Sequence, residues 1–276
     1  MNSQIEQKKD DVQHQHDRHR FQYTRVLIPT DSKEIIELII PFAKKFLKKE
    51  GEIVTLNVID SSHPLEVIDQ WKKGTKISIA AVEAGYRNEV KVTPKVVNHR
   101  SVAGGITEEL RKGDYDLLLF VINPHSGKRS FRFGSKTRSI ARTADRDMMM
   151  ISHLTLLMDS RPEGTIFAVT GDDSDRKRIR AIAALLSEEM GDAPVTEFNL
   201  STERTRTAEG GSESRSSRKK ETTADRILRL LSESRSSALV ISTAISSRVP
   251  FYRNALFEKL IKESPSPIII FKGKRR

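Results

Sequence analysis

Short apolar runs alternate along the chain with longer stretches whose apolar residues recur at helical spacing. From residue 25 onward this rhythm predicts strand, helix, strand in repetition. Arg25-Val26-Leu27-Ile28-Pro29-Thr30 reads as a first strand, and Asp31-Ser32 at its end can cap the helix that follows, with Glu34 in the first turn. That helix is expected from about Lys33 to Lys49, with Ile35, Ile39, Phe42, Ala43 and Phe46 on one face, a kink at Pro41 and a stop at Gly51. Ile53–Ile59 is a second strand, so the joined segments make the βαβ unit of a parallel sheet.

The pattern continues with a helix over about 65–84, a strand over 90–97, a helix near 101–112 and the strand 116–121. A helix over 135–143 and the strand 148–151 complete five βα elements. Pro94 has no N–H for a ladder hydrogen bond, which assigns its strand to a sheet edge. Leu117-Leu118-Leu119-Phe120-Val121 is apolar on both faces, as a central strand of a covered parallel sheet must be. Asp159–Gly164 reads as a linker, and the order then restarts: strands at 165–170, 195–200, 238–242 and 268–271, with amphipathic helices between them. One architecture occurs twice, the second copy shortened in its middle. The fold class is therefore α/β, with two tandem doubly wound parallel sheets in three α/β/α layers over 22–158 and 164–276, expected to pair as an intrachain pseudo-dimer. Residues 1–21 read as a disordered polar tail and 201–222 as a mobile Ser/Thr/Arg-rich insert open to phosphorylation.

Composition narrows the functional classes. Zero cysteines exclude disulfides and thiol chemistry and fit a reducing cytoplasm; no apolar run is long enough for a membrane span, and the N-terminus lacks the apolar stretch of a secretion signal. The net charge of +11 suits anionic partners, but it is spread over many segments rather than gathered in a stripe, which argues against nucleic acid. His14, His16 and His19 could hold a metal only with an ordered second shell, so a solvated tail is the simpler reading. No Gly-x-x-x-x-Gly-Lys-Ser/Thr, Gly-x-Gly-x-x-Gly or His-Glu-x-x-His motif occurs, and His63, His99, His125 and His153 are scattered; the sequence leans away from an enzyme.

In an open parallel sheet, ligands bind beyond the carboxyl ends of the strands where the winding reverses, here between the first and fourth strands. The loops there are Thr30-Asp31-Ser32 and 122–135, the latter carrying Gly127, Lys128, Arg129, Arg132, Gly134 and Ser135. Gly134-Ser135 opens a helix, whose N-terminal amides suit a phosphate, and the three cations could screen its charge. Equally, Gly134-Ser135 could be a plain helix cap with solvated cations, and Asp31 a plain N-cap.

Pro29-Thr30-Asp31, the Asp116-Leu117-Leu118-Leu119 strand and Gly134-Ser135 before Met149-Met150-Ile151 resemble a universal stress protein domain over 22–155, with a degenerate version over 164–273. The resemblance implies that Asp31 hydrogen-bonds an adenine, that the backbone at Val58 and Ile59 flanks it, and that Gly134 and Ser135 hold phosphates of ATP, AMP or a cyclic dinucleotide. Val121 and Pro124 stand where the first two glycines of the nucleotide-binding family pattern Gly-x2-Gly-x9-Gly-Ser/Thr fall. Family members without that pattern act through dimerisation or protein partners, and similar domains occur as cytoplasmic parts of transporters. Ser242–Pro250, after the second copy's fourth strand, has no glycine, so no nucleotide pocket is expected there.

Overall fold

The computed structural model describes residues 22–122, 133–158, 164–171, 175–200, 221–234, 238–245 and 250–274. The expected tail over 1–21, the loop residues Gly127, Lys128, Arg129 and Arg132, and residues 201–220 of the expected insert lie outside the described residues. Two compact units emerge, one of residues 22–122, 134–155 and 273–274, the other of Phe133 and residues 156–272.

The first unit runs β1 (Tyr23–Pro29), α1 (Lys33–Lys44), β2 (Leu47–Asp60), α2 (Val67–Arg87), β3 (Lys91–His99), α3 (Val102–Lys112), β4 (Leu117–Ile122), α4 (Ser135–Thr143), β5 (Asp147–Ser152). Its strands are all parallel in the order β3-β2-β1-β4-β5, so the winding reverses between β1 and β4. This is a doubly wound parallel α/β fold, and Pro94 lies on the edge strand as its missing N–H requires. Val26, Leu27 and Ile28 of β1, Leu117–Leu119 of β4 and Met148–Ile151 of β5 are buried, as strands covered on both faces must be. Asp116 is a fastener: its carboxylate accepts from the amides of Thr24 (2.7 Å) and Arg25 (3.1 Å), locking the start of β4 to β1.

After the short helix α5 (Leu154–Met158), the second unit runs β6 (Ile166–Thr170), α6 (Arg176–Glu189), β7 (Val195–Asn199), α7 (Thr223–Glu233), β8 (Ala238–Ser242), α8 (Ala255–Glu263), β9 (Ile268–Lys272). Its parallel order is β7-β6-β8-β9, that of the first unit without the outer edge strand. Every residue of β6, β8 and β9 is buried.

Three local expectations are corrected. Helix α1 passes through Pro41 and ends at Lys44, not Lys49; residues from Leu47 are already strand. Gly51 is the reason the chain can bend there, because β2 slips register against β1 between Leu47 and Glu52. A Cβ on Gly51 would lie 3.0 Å from Leu47 Cδ2 and 3.1 Å from two backbone carbonyls. Asp31 is not the N-cap of α1: Ser32 is, its hydroxyl accepting from the Ile35 amide at 3.2 Å. The expected insert stops short of 222, since Thr222 caps α7 in a reciprocal capping box with Asp225.

Candidate functional site

A cleft of about 530 Å³ opens in the first unit where the carboxyl ends of β1, β2 and β4 meet the first turns of α2 and α4. The turn after β1 is fixed from several sides. Thr30 donates its amide to Leu56 O (3.0 Å), and its hydroxyl accepts from the Ser32 amide (3.2 Å). The Thr30 carbonyl accepts from Asn57 Nδ2 (3.1 Å). Asn57 is 7% exposed, a polar side chain between Leu56 and Val58 of β2. Gly74 on α2 makes room for it: a Cβ there would stand 2.7 Å from Asn57 Oδ1. Gly105 does the same for the cleft wall, since a Cβ would meet Val58 Cγ1 at 2.7 Å.

Asp31, released from capping, is 84% exposed at the cleft mouth, 3.8 Å from Lys73 Nζ of α2. Across the floor, Asp60 closes β2. Its amide donates to Gln70 Oε1 at 2.7 Å, and its carboxylate accepts from the amide (3.1 Å) and hydroxyl (2.5 Å) of Ser62. Those Ser62 hydrogen bonds, aided by the charges of His63 and Lys136, hold the Asp60 carboxyl below its ordinary range, so it is an anion at neutral pH. Lys136 and Thr137 face the cleft from the first turn of α4. The N-cap of that helix, Gly134, contributes no side-chain hydrogen bond, and a Cβ on it would meet nothing within 4 Å. The lining thus sets Asp31, Asp60 and Glu66 beside Lys73, Lys136 and His63, with Leu56, Ile106, Phe120 and Ile140 supplying apolar wall. Such a mixture suits a ligand with a flat apolar part, hydrogen-bonding edges and a negative group at the α4 end.

Of the residues singled out in the sequence, the structure brings Thr30, Asp31 and Val58 together in the cleft. Ile59 does not line it; its side chain is fully buried in the core. Gly134 and Ser135 are exposed at the α4 start, one step before the lining residues Lys136 and Thr137. Val121 lines the cleft with its branched side chain at the position where the family pattern carries glycine. Sequence reading passed over Asn57, Asp60, Gln70, Lys73, Lys136 and Thr137. The signals were an Asn between Leu56 and Val58 in a strand, and Gln70 with Lys73 three residues apart on one helix face. In the second unit the end of β8 is tied to the start of α6: Ser242 donates to Oδ2 of Asp175, the N-cap of that helix, at 2.7 Å and accepts from the Ala244 amide at 3.0 Å. Among the described residues no group of three His, Cys, Asp or Glu side chains could hold a metal ion, and no helix is long and apolar enough to cross a membrane.

No curated protein matches the sequence. Among solved structures, a universal stress protein from Archaeoglobus fulgidus DSM 4304 superposes with a TM-score of 0.59 at 18% identity, covering 93% of this chain and 100% of that one. A putative universal stress protein from Pseudomonas aeruginosa UCBPP-PA14 gives 0.52 at 14% identity, over 91% of this chain and 93% of its own. The cytoplasmic domain of a prokaryotic cation chloride cotransporter gives 0.51 at 13% identity, over 91% of this chain and 96% of its own. At these identities the likeness is one of fold. The model of the universal stress protein family matches residues 22–152, from the residue before β1 to the last residue of β5. Residues 22–152 belong to the universal stress protein family.

Proposed function

We propose that the chain is a cytoplasmic regulatory protein whose first unit binds an adenine nucleotide or cyclic dinucleotide in the cleft between β1 and β4. The observation that carries this reading is the cleft itself: about 530 Å³ at the topological switch point, within the size range of small-molecule sites. Asp31 at the mouth is the hydrogen-bonding partner for the exocyclic amine of the base, and the Val58 strand end flanks the ring. The phosphate end lies toward Gly134, Ser135, Lys136 and Thr137, where helix amides and a lysine favour negative charge. The second unit, 164–276, is a degenerate copy that carries no second nucleotide, in keeping with the Ser242–Asp175 bridge at its own switch point.

A specific observation favours a second reading, that of an interaction protein acting without nucleotide, for instance on a transporter. Val121 fills the cleft edge where a glycine would let a phosphate approach the backbone. Thermal melts with ATP, AMP and cyclic di-AMP separate the two. A bound nucleotide at a hundredfold excess over its Kd stabilises the protein by about 2.7 kcal/mol. The shift should shrink in Asp31→Ala and Lys136→Ala. If no nucleotide moves the melt, the interaction reading replaces the first.

A further inference from the structure

Helix α2 is apolar on two opposite faces. One packs inward through Gly74, Ile77, Ala80, Ala81, Ala84 and Gly85. The other carries Ile68 (69% exposed), Ile79 (55%) and Tyr86 (82%), with Trp71 (41%) and Leu65 (98%) near its N-terminal end. At 100° per residue Ile68, Ile79 and Tyr86 fall within about 20° of one another on the helix wheel. A surface helix ordinarily turns charged residues outward at these positions. The stripe lies on the back of the helix whose inner first turns line the cleft, and among the described residues of the first unit nothing covers it.

Charges beside the stripe change sign along its length. Lys72 and Lys76 flank the N-terminal half on one side; Glu83 flanks the C-terminal half on the same side. Asp69 and Arg87 lie further round; Arg87 is paired with Glu37, and Asp69 stands 3.6 Å from Lys72 in a solvent-exposed pair, weak enough for Lys72 to turn to a second carboxylate. A lipid surface or a polyanion would call for one sign along the whole stripe. A polarity that reverses end to end fits a partner with the same stripe running the other way.

We propose that the outer face of α2 is a self-association surface, on which α2 of a second copy packs antiparallel about a two-fold axis near the middle of the helix. In such an isologous contact each side of the stripe meets the same side of its partner in reverse order. The register that sets Ile68 opposite Tyr86 also brings Trp71 beside Val82 and Lys72 beside Glu83 of the second copy. Apolar contacts and ion pairs are thus satisfied in one arrangement.

The test uses the full chain. Sedimentation velocity over a wide concentration range should show the mass doubling. Ile79→Asp should abolish the doubling while leaving the melt unchanged at concentrations where the parent protein is monomeric, because the side chain is exposed. Lys72→Glu and Glu83→Lys should each weaken the dimer, and together restore it. The chain has no cysteine, so paired substitutions report the register directly. Ile68→Cys with Tyr86→Cys in one chain should form intermolecular disulfides on mild oxidation, and either alone should not, since a disulfide needs Cα atoms within about 7 Å. A monomer at every concentration, a dimer indifferent to Ile79→Asp, or a charge swap that fails to restore association would overturn the proposal. So would binding to anionic lipid vesicles that Ile79→Asp removes from a monomeric protein.

Discussion

Replacing Gly74 by alanine tests the packing that holds the cleft. In an exposed helix interior this change is favourable by about 1 kcal/mol, from helix propensity alone. Here the new Cβ would sit 2.7 Å from Asn57 Oδ1, and 3.4 Å from both Asn57 Cγ and Val96 Cγ1. The Val96 contact is tolerable, but the Asn57 amide must move. It is 7% exposed and donates to Thr30 O at 3.1 Å, so moving it strands a buried donor and loosens the turn that carries Asp31. Losing a buried hydrogen-bond partner costs about 1–3 kcal/mol. Gly74→Ala should therefore destabilise the first unit by about 1 kcal/mol net, the lost hydrogen bond outweighing the propensity gain. In an Asn57→Ala background the obstacle is gone, and the same change should stabilise by about 1 kcal/mol. The sign reversal amounts to a coupling energy of about 2 kcal/mol between adjacent side chains, within the range such cycles measure. Urea unfolding followed by fluorescence of Trp71, the chain's single tryptophan, reports on the unit concerned because that residue lies on α2 itself. If Gly74→Ala stabilised the protein equally in both backgrounds, the glycine would be incidental and the proposed support for the cleft turn wrong.

Further outcomes are expected. Ser32→Ala should cost about 1 kcal/mol as the loss of an N-cap, whereas Asp31→Ala, at a side chain 84% exposed, should leave the urea midpoint unchanged and act only on ligand affinity. A network joins the buried Tyr115 and Glu109 to the half-buried Lys95, with Lys95 Nζ 2.6 Å from the Glu109 carboxylate and Tyr115 donating to the same oxygen. Burial works to raise the Glu109 pKa, but the hydrogen bonds from Lys95 and Tyr115 outweigh it and leave it below the ordinary 4.5. A depressed carboxyl stabilises the fold above its unfolded value, and that contribution is lost as pH falls through the folded one. Glu109→Gln should thus destabilise at pH 7 and flatten the decline of the urea midpoint below about pH 4.3. Tyr115→Phe, which removes one hydrogen bond to a charged group, should cost about 1.5–3 kcal/mol at pH 7 by the same denaturation assay.

Much of this fold can be read from apolar periodicity because the central strands are covered on both faces. Leu117–Val121 and Met148–Ile151 have no polar face to blur the signal, and the helix at Ser135–Thr143 falls where its pattern sets it. The misread segment was 45–49. Phe46 continues the helical spacing of α1, and its burial at 1% exposure would satisfy either a last helical turn or the joint it forms in fact. Only the register slip opposite Tyr23 distinguishes them, and that depends on β1, distant in sequence. The switch point was legible from topology, and Thr30 and Asp31, singled out there, line one cleft with Val58, which the family resemblance suggested. The remaining lining was not, because Asn57, Asp60, Gln70 and Lys136 meet only through the packing of α2 and α4 against strand ends, and Gly74 and Gly105 reveal their purpose only beside Asn57 and Val58. Asp116 shows the converse: a residue of the family resemblance whose carboxylate is spent on the amides of β1.

Amide hydrogen exchange of the full chain with and without saturating adenine nucleotide addresses the central claim most directly. The account predicts slowed exchange confined to the first unit, in peptides spanning 29–32, 56–63 and 134–140, with the strand ends of the second unit unaffected. Uniform exchange in both conditions, or protection centred on Ser242 and Asp175, would contradict it.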